Sequence, residues 1–143
     1  MINVQQLLQS KDPGVVSTTP RASVYEALVL MKEKDIGALP VLENGRLVGL
    51  LSERDYARGV VLRGRTSRET MVGELMSKPV FTVKLEDSIQ HCMSLMTERR
   101  VRHLPVVEGG QLVGIVTIGD VVKQIITDQE HLIHELEGYI RGT

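Results

Sequence analysis

Apolar residues recur along this chain in two alternating rhythms. Val24, Ala27, Leu28 and Met31 keep helical spacing, as do Ile89, Cys92, Met93 and Met96, and each set follows a serine, Ser23 or Ser88, suited to cap a helix start. Each stripe predicts a helix with one buried face. Short β-like runs precede them at Val15–Thr18 and Val80–Val83. After them come Ala38–Leu42 and Leu47–Leu51 in one half, His103–Val107 and Leu112–Val116 in the other, joined by turns at Glu43-Asn-Gly45 and Glu108-Gly-Gly110. Two such runs across a tight glycine turn predict a β-hairpin. A second helix is expected from Asp55 in the first half and from Asp120 in the second.

The halves are copies of each other. Leu39-Pro-Val41 recurs as Leu104-Pro-Val106, Leu47-Val-Gly49 as Leu112-Val-Gly114 and Asp55 as Asp120, at a constant offset of 65 positions. Between Val15–Tyr56 and Val80–Val121 about one position in three is identical, and no gap is needed. The order β-α-β-β-α, twice, predicts an α+β fold in which tandem repeats pack as an intramolecular pseudo-two-fold dimer. The expected units are an N-terminal helix within 1–14, ending at Asp12-Pro-Gly14; repeat 1 with a basic connector over 15–70; repeat 2 over 71–127; and an amphipathic C-terminal extension over 128–143. The connector bears Arg58, Arg63, Arg65 and Arg68 and reads as solvated. The extension continues a stripe of Ile125, Ile126, Leu132, Ile133, Leu136 and Ile140, which needs a covering surface on this chain's own core or on another chain.

Composition narrows the functional classes. The 143 residues are 42 % hydrophobic and 24 % charged, with a net charge of −1 and a pI near 6.4, as expected of a globular chain without a global positive field. With no Trp, one Phe and three Tyr, stacking platforms are scarce, so no nucleic-acid partner is expected. No apolar stretch approaches the roughly 18 residues of a membrane span, and the N-terminus lacks a signal-peptide pattern. The expected location is the cytoplasm, with no membrane partner. Cys92, the one cysteine, aligns with Ala27 on the buried stripe and reads as a small core residue. His131 and His134, flanked by Glu130 and Glu135, read as solvated helix surface, so no metal is expected. Gly59 to Thr66 approaches a phosphate-binding P-loop, but Arg65 stands where lysine belongs and a helix precedes it. Nothing is arranged as a catalytic centre, so an enzyme is not expected.

One constellation carries chemistry, and it occurs twice. Ser52 and Thr117 each end a strand, and Asp55 and Asp120 follow three residues later in the first turn of a helix. A hydroxyl beside a carboxylate supplies a donor near phosphate and acceptors for a ribose diol, and the helix start favours an anion. Helix capping uses the same residues. Duplication of the whole arrangement favours a ligand site.

Gly49-Leu-Leu-Ser-Glu-Arg-Asp55 and Gly114-Ile-Val-Thr-Ile-Gly-Asp120, with the apolar-Pro-Val segment before each hairpin, resemble the CBS-domain family, named after cystathionine β-synthase. The resemblance spans nearly the whole chain. It implies a pair of repeats with two clefts, binding an adenine nucleotide, AMP foremost, with ATP, NAD(H) or S-adenosylmethionine as alternatives. It further implies an adenine slot from Val16, Ser17, Ala38, Leu39 and Pro40 in the first copy, and from Pro79, Val80, Leu104 and Pro105 in the second. Arg102 and His103, replacing Gly37 and Ala38, are the phosphate candidates of the second copy, and Arg54, replacing Gly119, that of the first, with the basic groups of one repeat equally open to serve the cleft of the other. The two sites are therefore expected to be unequal. A regulatory homodimer that passes ligand occupancy to a separate effector protein is the leading expectation, and a ligand-free scaffold using the C-terminal helix is the rival.

Overall fold

The computed structural model describes residues 2–11 and 14–142; Asp12 and Pro13, part of the expected stop after the first helix, lie outside the described residues. A short helix α1 (Val4–Gln9) leads the chain. Repeat 1 consists of α2 (Val24–Lys34), the hairpin β1 (Ala38–Glu43) and β2 (Arg46–Ser52), and α3 (Glu53–Tyr56), which runs on into a π-helical turn over Ala57–Val61. After the connector come α4 (Val72–Leu75), α5 (Ile89–Arg99), the hairpin β3 (His103–Glu108) and β4 (Gln111–Thr117), and a long α6 (Ile118–Ile140).

The repeats match in detail. Ser23 and Ser88 accept the amide protons of Glu26 and His91, each at 3.0 Å, and so cap α2 and α5. Both hairpins are antiparallel with the same pairing, Ala38 opposite Ser52 and His103 opposite Thr117, and each shifts register at the same place, after Val41 and after Val106. The turn residues Asn44, Gly45, Gly109 and Gly110 all have positive φ, the conformation two-residue hairpin turns demand. Ala27, Met31, Leu39, Val41 and Leu51 form one buried cluster. Their counterparts Cys92, Met96, Leu104, Val106 and Val116 form the other.

Three boundaries differ from expectation. The runs before α2 and α5 are single parallel bridges, Thr18 to Val41 and Val83 to Val106, rather than strands. Thr18 N–H donates to Pro40 O (3.0 Å) and Leu42 N–H to Thr18 O (2.9 Å); the next rung would need an amide proton on Pro40, which proline lacks. Pro105 ends the second bridge identically. The helices after β2 and β4 begin at Glu53 and Ile118, two residues before Asp55 and Asp120. The start of the basic connector, through Val61, is helical. The C-terminal extension continues α6, which crosses residue 128 unbroken.

The leading segments are exchanged. α1 precedes repeat 1 but packs in the core of repeat 2, with Val4 and Leu7 buried there and Val4 N–H bonded to Asp87 O at 2.8 Å. Conversely α4 precedes repeat 2 but puts Val72 into the core of repeat 1, its amide bonded to Ala22 O at 2.9 Å. Between the repeats, β2 packs against β4.

Candidate functional site

Both hydroxyl–carboxylate pairs form reciprocal caps. Ser52 Oγ accepts from Asp55 N–H at 3.2 Å while Asp55 Oδ2 accepts from Ser52 N–H at 2.9 Å. Thr117 Oγ1 and Asp120 Oδ2 do the same at 3.1 and 2.9 Å. This satisfies the first backbone donors of α3 and α6. Asp120 is bonded to Thr117 and Lys11, which line one cleft between the repeats, and Asp55 to Ser77, which lines a second.

The larger cleft, of about 690 Å³, is lined by Val15, Val16, Ala38 and Pro40 from repeat 1 and by His103, Ile115 and Thr117 from repeat 2, with Lys11 at its edge. The Lys11 ammonium donates to Asp120 Oδ2 at 2.7 Å and to Ile115 O at 2.9 Å. The smaller, about 260 Å³, is lined by Ser77, Pro79, Val80, Phe81, Val101 and His103 from the second half and by Leu50 from the first. Its carboxylate, Asp55, accepts from Ser77 Oγ at 3.2 Å. The clefts are pseudo-two-fold mates. In the larger, apolar residues of repeat 1 face Ile115 and Thr117 of repeat 2, and in the smaller those of the second half face Leu50 of the first.

Their inequality has a steric cause. Phe81 occupies the position equivalent to Val16, and His103 that equivalent to Ala38. Two larger side chains fill the second cleft, leaving it below the roughly 300–1,000 Å³ typical of small-molecule sites, a range the first satisfies.

Of the residues expected to form the slots, Val16, Ala38 and Pro40 line the larger cleft and Pro79 and Val80 the smaller. Leu39 and Leu104 do not: both are wholly buried in the two cores, where alternation along β1 and β3 turns them away from the clefts. Pro105 is buried and Ser17 half-buried, and neither lines a cleft. Arg54 and Arg102 are exposed and line neither cleft. His103 lines both clefts and is the asymmetric centre of the site. Burial, first, then the charges of Lys11 and Arg102 push its pKa below the usual 6.5, with Asp120 opposing; the imidazole is neutral at pH 7. Lys11 escapes a motif search because only the crossing of α1 into repeat 2 brings it to Asp120.

A CBS-domain model matches this chain twice, over residues 9–61 and 72–127. The chain belongs to the CBS-domain family. A mitochondrial CBS domain-containing protein of Arabidopsis thaliana, CBSX3, is 35 % identical over 94 % of this chain and 68 % of its own length. The CBS domain-containing protein YhcV of Bacillus subtilis is 38 % identical over 74 % of this chain and 75 % of its own. A solved structure of a putative signal-transduction protein with CBS domains from Burkholderia ambifaria superimposes with a TM-score of 0.85 at 46 % identity, covering 89 % of this chain and 96 % of that one. CBS domains are in general regulatory modules that bind adenosine ligands. Among the described residues no helix is long and apolar enough to cross a membrane, and no group of three or more His, Cys, Asp or Glu could hold a metal ion.

Proposed function

We propose that this CBS pair is an adenine-nucleotide sensor that holds one nucleotide per chain, AMP foremost, in the larger cleft. The observation that carries the reading is the union, in one cleft of sufficient size, of an apolar slot from repeat 1 with Thr117 from repeat 2 and Lys11, both of which are bonded to Asp120. Adenine lies between Val16, Ala38 and Pro40, the ribose diol reaches Asp120, and Lys11 with His103 meets phosphate. A ligand that touches both repeats favours whichever relative arrangement it binds better. That differential affinity, commonly 1–3 kcal/mol, is the signal delivered to a separate effector protein.

A scaffold reading retains one specific support: Lys11 already satisfies Asp120, so the cleft needs no ligand to be stable. Thermal unfolding separates the two. A nucleotide present at 100 times its Kd adds about 2.7 kcal/mol of stability, so AMP, ATP, NADH and S-adenosylmethionine added singly are expected to raise the midpoint in at least the AMP case. A midpoint unmoved by all four supports the scaffold instead.

A further inference from the structure

Two of the segments that fall outside the family-matched ranges, the connector over 62–71 and the end of α6 beyond Thr127, expose large apolar side chains. Every side chain from Gln129 to Glu137 is exposed, including Leu132, Ile133 and Leu136, and Tyr139 and Ile140 beyond them are 85 % and 82 % exposed. A helical end this exposed is marginal in water, so its stripe calls for a cover. On the connector side Val61, Leu62 and Met71 are uncovered, Leu62 at 78 %.

The charges of the two segments are opposite. The helix end carries Asp128, Glu130, Glu135 and Glu137 against Arg141 alone, whereas from Tyr56 to Arg68 the chain holds Arg58, Arg63, Arg65 and Arg68 and no acidic residue. Arg65 is paired with Glu74 at 3.1 Å and Arg68 stacks on Tyr25 at 3.9 Å, while Arg58 and Arg63 are exposed beside Val61 and Leu62. We infer that the end of α6 docks on the basic connector of a second copy of this chain, apolar stripe on Val61 and Leu62, carboxylates against arginines.

Two-fold symmetry makes the contact twice, closing the dimer and doubling its area. That doubling matters, because one helix face covers only part of the roughly 1,600 Å² of a stable interface. Tail against tail would oppose like charges, and an anionic lipid surface would repel the same carboxylates.

Cysteine trapping tests the arrangement against the full-length background. Cys92 is fully buried, with a thiol pushed up to about 11 by burial, so it stays silent. Leu62→Cys and Leu136→Cys proteins, mixed and oxidised, are expected to give a disulfide-linked heterodimer that neither gives alone. A register-tolerant measurement accompanies it: Arg63→Glu or Glu137→Arg singly weakens the dimer at least tenfold by sedimentation, and the two reversals combined restore it. Leu136→Cys cross-linking to itself in place of the mixed pair overturns the inference. So does a parent protein that is monomeric at 100 µM, or a dimer indifferent to both reversals.

Discussion

Asp120 is the residue on which recognition turns, because its carboxylate serves at once as the partner of the Thr117 amide, the counter-ion of Lys11 and the proposed ribose acceptor. A hydrogen bond to a charged group is worth about 1.5–3 kcal/mol, so Asp120→Asn is expected to weaken AMP binding by roughly 10–100-fold in calorimetric titration. Asp55→Asn, beside the filled cleft, should leave it within about twofold. His103 adds a pH signature. Its pKa is lowered in the folded protein, so protons bind the unfolded chain more readily; its contribution to stability is present above pH 6.5 and is lost as pH falls below it. Thermal midpoints from pH 7.5 to 5 are expected to fall more steeply for the parent than for His103→Gln, and parallel curves would contradict the assignment. At this scale the sequence was informative about type and weak about grouping. Ser52, Asp55, Thr117 and Asp120 are legible because their spacing is local. The union of Thr117 with Val16 is not, since it depends on how two repeats pack.

The repeating elements were legible because each is specified within a few residues: a serine cap, a helical stripe, a two-residue turn. The lost strands show the limit of that signal. Val15–Thr18 has the composition of a strand, but its pairing depends on an amide proton that Pro40, far along the chain, does not have. The exchanged helices are another tertiary fact. α1 lies on β4 because Gly114 leaves room: a Cβ there would sit 2.7 Å from Leu8 Cδ1. The motif glycine thus carries a packing duty beside any role near ligand. Gly114→Ala is expected to cost about 1–3 kcal/mol in urea unfolding and, by displacing α1, to loosen Lys11 from Asp120. A change under about 0.5 kcal/mol would show that Leu8 moves aside freely.

In the molecule as a whole, duplication supplied two equivalent crevices, and two substitutions made them unequal. Phe81 and His103 fill one, leaving room for a single nucleotide in the other, so calorimetry is expected to count one AMP per chain; a count of two would overturn the steric argument. A ligand held between repeats reports on their relation, which suits a module whose family is regulatory. The trade of α1 for α4 reaches further still. Neither half owns a whole interior: severed near Gly64, the front piece would surrender Val72, the rear piece Val4 and Leu7. Expressed singly, the fragments should lack fixed near-ultraviolet dichroism and recover it on mixing. The halves are thus mutually dependent, and the whole chain is expected to melt in one transition.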